Sequence, residues 1–179
     1  MTPSNPAPRA RHTRGVSPYR ICFVCMGNIC RSPTAEIVMR RKLQDAGLAD
    51  RVIVDSAGTG GWHVGKGADP RAVATMTRHG YDGTGHAARQ FDPAWFEERD
   101  LVIALDGKNV QSLRWLAAPE QRHKIVRLRS FDRASRGGDL DVPDPYYDAD
   151  DGFEQVLAMI VAACDGLLKH VSSELDATR

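Results

Sequence analysis

The feature that most restricts how this chain can fold is the run Ile21-Cys22-Phe23-Val24. It is short, β-prone and apolar at consecutive positions, so both faces of its strand must be covered, as in a central strand of a parallel sheet. The run ends at Cys25, which opens the segment Cys25-Met26-Gly27-Asn28-Ile29-Cys30-Arg31-Ser32. Ser32 and Pro33 then read as the N-cap and first residue of a helix. Its apolar positions Ala35, Val38, Met39, Leu43 and Ala46 recur at helical spacing until Gly47 stops the run.

The same alternation repeats along the chain. Val52-Ile53-Val54 reads as a strand, Asp69-Pro70 opens a helix that Gly80 closes, and Asp92-Pro93 caps a shorter one. Leu101 to Leu105 is an apolar strand followed by a helix over 109–116, and Ile125 to Leu128 is a fourth strand. Phe153, Val156, Leu157, Ile160, Cys164, Leu167, Leu168 and Val171 trace one face of a long final helix. Strands alternating with helices predict an α/β fold: one domain, a parallel sheet with helices on both faces, and ligands bound beyond the carboxyl ends of the strands.

A chain of 179 residues suits one such domain. Residues 1–18 carry Pro3, Pro6, Pro8 and Pro18 with Arg9, Arg11 and Arg14 and little apolar anchorage, which predicts a flexible extension before a domain over 19–175. With 24 Lys plus Arg against 23 Asp plus Glu, there is no electrostatic case for broad nucleic-acid or membrane-surface binding. No apolar run approaches the roughly 18 residues of a membrane span, and the N-terminus lacks a signal-peptide core, so a cytoplasmic protein is expected. The four cysteines, at 22, 25, 30 and 164, do not have the spread of a disulfide framework and read as reduced thiols.

The segment from Cys25 has the makings of an anion site. A loop between a strand and a helix start directs backbone N–H groups inward, and the helix adds partial positive charge. Gly27 and Asn28 tolerate the backbone angles of a tight curve. Arg31, five residues beyond Cys25, can return over this cradle and give phosphate two parallel hydrogen bonds. The same positive surroundings favour a thiolate at Cys25, and Ser32 can donate to it as well as cap the helix. A buried, inert thiol is the ordinary fate of a free cysteine, and Cys22 and Cys164 fit it. The spacing Cys22-Phe23-Val24-Cys25 also admits zinc or a redox pair. Against both, the two residues would face opposite sides of one strand and no second ligand pair exists.

The run Val24 to Glu36 closely resembles the signature of low-molecular-weight protein tyrosine phosphatases. Asp55-Ser56-Ala57-Gly58-Thr59, Trp62-His63-Val64-Gly65, Asp69-Pro70-Arg71-Ala72, His86-Ala87-Ala88-Arg89-Gln90 and Asp144-Pro145-Tyr146-Tyr147 extend the resemblance, in order, over Arg20 to Leu168. It implies a four-stranded parallel sheet with the phosphate loop after the first strand. It also implies hydrolysis of phosphotyrosine, and of small aryl phosphates, through a cysteinyl-phosphate, with Cys25 as nucleophile and Arg31 stabilising the transition state. Asp144 becomes the general acid by resemblance alone, since the residues themselves do not distinguish it from Asp139, Asp141, Asp148, Asp150 or Asp151 in what otherwise reads as an exposed acidic loop.

The resemblance places Met26, Gly27, Asn28, Ile29, Cys30, Ser32, Trp62, His63 and Tyr146 at the substrate, with Trp62 and Tyr146 as aromatic walls. Asn28, Ser32, Ser56 and His86 correspond to the polar network that shapes the loop. Cys30 is implied to form a reversible disulfide with Cys25 on mild oxidation. Tyr146 and Tyr147 resemble residues phosphorylated in some relatives. No cofactor or metal is expected, and the implied partners are phosphotyrosine proteins and a cognate tyrosine kinase. Arsenate reductases share the loop, but thiol-linked members use a cysteine pair in a segment that here, Tyr81 to Asp92, has none. Protein arginine phosphatases are distinguished by a threonine where this chain has Ile29, which favours an aryl phosphate. A phosphopeptide-binding module would lack nucleophile or acid.

Overall fold

The computed structural model describes residues 17–135, 137–147 and 150–178. The expected N-terminal extension lies outside them apart from Ser17 and Pro18, as does Asp148 of the expected acidic loop. The elements run β1 (Tyr19–Cys25), α1 (Arg31–Asp45), β2 (Val52–Gly58), α2 (Pro70–Arg78), α3 (Trp95–Glu98), β3 (Leu101–Ala104), α4 (Gly107–Leu116), β4 (Ile125–Arg127) and α5 (Asp150–Ala177). Short 3-10 turns flank β4 and cover Pro145–Tyr147.

The strands form one parallel sheet in the order β2-β1-β3-β4, so the run Ile21 to Val24 lies in an inner strand. Its alternation divides the core in two. Ile21, Phe23 and Cys25 pack with Val38 and Met39 of α1 and with Ile160, Cys164 and Leu167 of α5. Cys22 and Val24 point to the other face, against Phe96 of α3 and Leu113 of α4. Each large apolar side chain buried in this way contributes about 1.5–3 kcal/mol before chain entropy is counted. Cys22 and Cys25 therefore stand on opposite faces, a geometry in which neither a shared metal nor a disulfide fits.

Helix ends follow local chemistry. The Asp69 carboxylate accepts from Arg71 N at 2.9 Å at the start of α2, and Asp106 accepts from Asn109 N at 2.7 Å at the start of α4. Gly47 ends α1 with φ +67°. One expectation is corrected: α1 begins at Arg31, its N-cap is Cys30 without a side-chain cap bond, and Ser32 lies inside the first turn. Pro33 is tolerated there because N–H groups of the first turn have no partner within the helix.

A second correction concerns α5. Gly152–Ala177 is, by length and composition, long and apolar enough to cross a membrane. In the fold its apolar stripe is the face laid on the sheet and α1. Its polar side is tied down as well, with Asp165 paired to Lys42 of α1 at 2.6 Å and Glu154 paired to Arg78 of α2 at 2.7 Å. The backbone of α5 approaches so closely at Gly166 that a Cβ there would lie 1.9 Å from the Phe131 carbonyl oxygen.

Candidate active site

β1 delivers Cys25 to the carboxyl edge of the sheet, and α1 starts only at Arg31, so the intervening residues curl beneath the first turn of the helix. The curl is made at Asn28, whose φ of +57° lies in the left-handed region that asparagine tolerates better than most residues. Its backbone N–H points at Cys25 Sγ, 3.3 Å away, and Ser32 Oγ lies 3.1 Å from the same sulfur.

Asn28 is fully buried, and both polar atoms of its amide are engaged. Nδ2 donates to Ser32 Oγ (2.8 Å) and Ser56 Oγ (2.9 Å), and Oδ1 accepts from Arg89 N (2.8 Å). The Asn28 carbonyl accepts from His86 Nε2 at 2.7 Å, so that nitrogen carries the imidazole proton. Ser56 in turn donates to Glu36, which pairs with Arg40. Ser32 Oγ is already an acceptor, and its single proton can go to Cys25 Sγ or to the Ala57 carbonyl, 3.2 Å away. An anionic sulfur wins that proton, because a charge-assisted bond is about twice as strong as a neutral one.

The outer half of the loop hangs on the end of β2. Thr59 N donates to Cys25 O at 2.8 Å and Gly60 N to Met26 O at 2.9 Å. A Cβ at Gly58 would lie 2.8 Å from Met26 O, so the approach requires glycine there.

Arg31 is 2% exposed, and its guanidinium is held by residues far away in sequence. Nη1 donates to Asp106 Oδ2 (2.6 Å) and Val142 O (3.0 Å), Nη2 donates to Asp144 Oδ2 (3.0 Å), and the buried Nε has no hydrogen-bond partner among the described residues. Burial works against the charge, but Cys25, Asp144 and Asp106 outweigh it and hold the guanidinium pKa above its ordinary value. Asp144 reaches this point because Val142 N bonds Leu105 O at 2.8 Å, pinning its loop to the end of β3. Cys25, Arg31 and Asp144 thus meet at one cavity of about 350 Å³, whose wall also includes Met26, Gly27, Ile29, Cys30, Trp62, His63, Tyr146 and Tyr147.

A family profile described as low molecular weight phosphotyrosine protein phosphatase matches residues 20–177. The chain belongs to this family. It is accordingly a protein tyrosine phosphatase, a hydrolase that acts on phosphotyrosine through a cysteine nucleophile. A low molecular weight protein-tyrosine-phosphatase of Streptomyces coelicolor is 57% identical over 159 residues, covering 88% of this chain and 96% of that protein. Low molecular weight protein-tyrosine phosphatase A of Mycobacterium tuberculosis is 45% identical over 158 residues, covering 88% and 94%. The crystal structure of YfkJ from Bacillus subtilis superposes with a TM-score of 0.83 at 38% identity, covering 90% of this chain and 98% of that one.

The mouth of the phosphatase pocket is built differently from its floor. Tyr146 sits 6.5 Å from His63 by ring centroids and 5.0 Å from Tyr147, edge-on to the latter. Arg71 lies over the Tyr146 ring at 5.7 Å and donates to its carbonyl, so the N-terminus of α2 supports this wall. Trp62, 70% exposed, folds its indole against Gly60, where a Cβ would lie 1.8 Å from a ring carbon.

Cys30 lines the pocket but packs its thiol among Ala72, Met76 and Phe153. Burial, helped by the nearby Asp69 and Cys25, pushes that thiol far above the ordinary range. Burial likewise raises Cys22, and Cys164 to about 12.

Sequence reasoning missed Asp106 as a member of this site. Its one legible signal is a position just after β3 that suits an N-cap, and the carboxylate does cap α4 with one oxygen while holding Arg31 with the other. Asp141, read as part of an exposed acidic loop, keeps its side chain 41% exposed while accepting from Gly107 N at 2.8 Å and pairing with Arg127.

Proposed function

We propose that Cys25 is the nucleophile, Arg31 the transition-state clamp and Asp144 the general acid and base of this phosphatase. The observation that carries the reading is the convergence of a thiol, a buried guanidinium and a carboxylate on one pocket at the carboxyl edge of the sheet. In the first step the Cys25 thiolate attacks phosphorus, an S–P bond forms, the P–O bond to tyrosine breaks, and protonated Asp144 gives its proton to the leaving oxygen. In the second, Asp144 takes a proton from water, the water oxygen bonds to phosphorus, and the S–P bond breaks to return the thiolate and release phosphate.

Backbone N–H groups of the loop, with Arg31 Nη2 and its unpaired Nε, meet the charge on the phosphoryl oxygens. A phosphoryl dianion arriving on Arg31 takes over the charge partnership that Asp144 holds at rest, which frees that carboxyl to face the leaving oxygen. Ser32 donates to the thiolate and eases its departure in the second step. Asn28, Ser56 and His86 hold the loop. Met26, Gly27, Ile29, Trp62, His63 and Tyr146 bound the substrate ring, and Ile29 directs the site to aryl phosphates, small ones included, rather than phosphoarginine. Cys30 is the partner for a protective disulfide with Cys25. The working environment is the cytoplasm, with phosphotyrosine proteins made by a tyrosine kinase as substrates.

The test is hydrolysis of a phosphotyrosine peptide and of p-nitrophenyl phosphate by purified Cys25→Ser protein. Loss of at least about 10⁴-fold in kcat is expected, by comparison with removal of other enzymes' nucleophiles. Near-normal turnover would overturn the reading.

A further inference from the structure

A second concavity, of about 880 Å³, adjoins the catalytic pocket and is lined by none of its proposed chemical groups. Its floor is the outer side of α4, and Trp62 belongs to both cavities, so the indole is the ridge between them. Two features set the groove apart from ordinary surface. It presents large apolar side chains to solvent, Trp115 at 89% exposure and Leu116 at 38%, beside the exposed Trp62. It also carries Arg114 and Arg122, and among the described residues neither has a carboxylate partner. Among the described residues no carboxylate lines the groove, and Asp141 near its Gly107 edge is already engaged by Gly107 N and Arg127.

Solvent-exposed tryptophans beside unpaired arginines are the composition of a recognition surface, since these residue types supply most binding energy at interfaces. The catalytic pocket is sized for one phosphorylated ring and leaves the rest of a protein substrate outside. We infer that the groove between Trp62 and Trp115 receives the chain flanking the phosphotyrosine, and that it selects flanks combining acidic residues with an apolar side chain. Charge complementarity to Arg114 and Arg122 favours the acidic residues. Continuity through Trp62 commits the occupant to the substrate bound next door. The inference rests on the catalytic pocket taking phosphotyrosine as proposed above.

The experiment compares two phosphotyrosine peptides of matched length, one with Asp and Glu in its flanks and one with Lys, with p-nitrophenyl phosphate reporting on the pocket alone. For the unaltered protein at low salt, kcat/KM is about tenfold higher for the acidic peptide, which corresponds to ~1.4 kcal/mol, with the difference in KM. The preference shrinks as salt rises. In the double variant Arg114→Glu/Arg122→Glu it disappears or inverts, while p-nitrophenyl phosphate turnover stays within about twofold, which also shows that the variant is folded. Trp115→Ala raises KM for the acidic peptide and leaves the small substrate unchanged.

Equal treatment of the two peptides at low salt, or a preference that survives the charge reversal, would overturn the inference. So would sedimentation showing a dimer that Trp115→Ala dissociates while the peptide preference persists, since the groove would then belong to a second copy of the chain. Failure of the catalytic reading shows up separately, as p-nitrophenyl phosphate turnover by Cys25→Ser.

Discussion

The floor and the mouth of the active site are organised on opposite principles. On the floor, Asn28, Arg31 and Ser32 are buried, and the polar atoms of the Asn28 and Ser32 side chains are all engaged, so the loop has one arrangement. At the mouth, Trp62, Tyr146 and Tyr147 are exposed: the two tyrosine rings meet edge-on, Arg71 lies over Tyr146, and Trp62 rests against Gly60. Phosphoryl transfer needs donors fixed where charge develops, and only a buried network gives that without reorganisation. Recognition of varied protein substrates needs apolar area that can adjust, and exposed aromatic side chains give that.

Substitutions on the floor therefore break chemistry, and those at the mouth alter KM. After Cys25→Ser, the largest expected effect is at Arg31. Arg31→Lys keeps the charge but loses the planar fork, and kcat falls at least about 100- to 1000-fold, as for loss of an oxyanion donor. Arg31→Ala is as inactive and also leaves the partly buried Asp106 without its cation, costing about 1–3 kcal/mol of stability measurable by urea unfolding.

Asp144→Asn lowers kcat on phosphotyrosine by about 100- to 10,000-fold. The loss shrinks on aryl phosphates whose leaving group needs no proton, which separates an acid from a mere Arg31 partner. Asn28→Ala sharpens the contrast further. It strands Ser32, Ser56 and Arg89 N, so stability falls by about 1–3 kcal/mol and kcat falls with KM little changed. Trp62→Ala, by comparison, is expected to raise KM for peptides a few-fold with the melting temperature unaltered.

The smallest effect concerns the support beneath the Tyr146 wall. Hydrogen bonding from Arg71 holds the Asp69 carboxyl below its ordinary pKa despite partial burial. A depressed carboxyl contributes its full stability above the unfolded value of about 3.9, and that contribution is lost as pH falls through the lower folded value. Asp69→Asn should flatten the acid limb of the melting temperature against pH, while Asp69→Ala removes the α2 cap at a cost of ~0.5–2 kcal/mol.

Much of the fold was legible. A strand apolar on both faces demanded cover on both, and the sheet order puts it inside. Asp69 and Gly80 mark the bounds of α2 because capping is chemistry within a few residues. Ser32 misled for an instructive reason: Ser-Pro is a sound N-cap signal, but the loop curls so that α1 starts earlier and the hydroxyl turns inward to Cys25. The apolar length of α5 was also underestimated, because its Glu154 and Asp165 interrupt the run by eye while pairing with α2 and α1 in space.

The strand, the curved loop and the helix that put Cys25, Asn28, Ser32 and Arg31 together are written in local residue order, because these residues are neighbours along the chain and their contacts follow from backbone geometry. Which acids belong with them depends on how distant segments pack. Asp106 and Asp144 look like their neighbours in composition and reach Arg31 because β3 lies beside β1 in the sheet and the loop at Val142 is pinned to the end of β3. Ser56 and His86 reach Asn28 in the same way, across β2 and the chain that follows α2. Proximity over such separations is a product of strand order and crossover, which no local pattern of residues encodes.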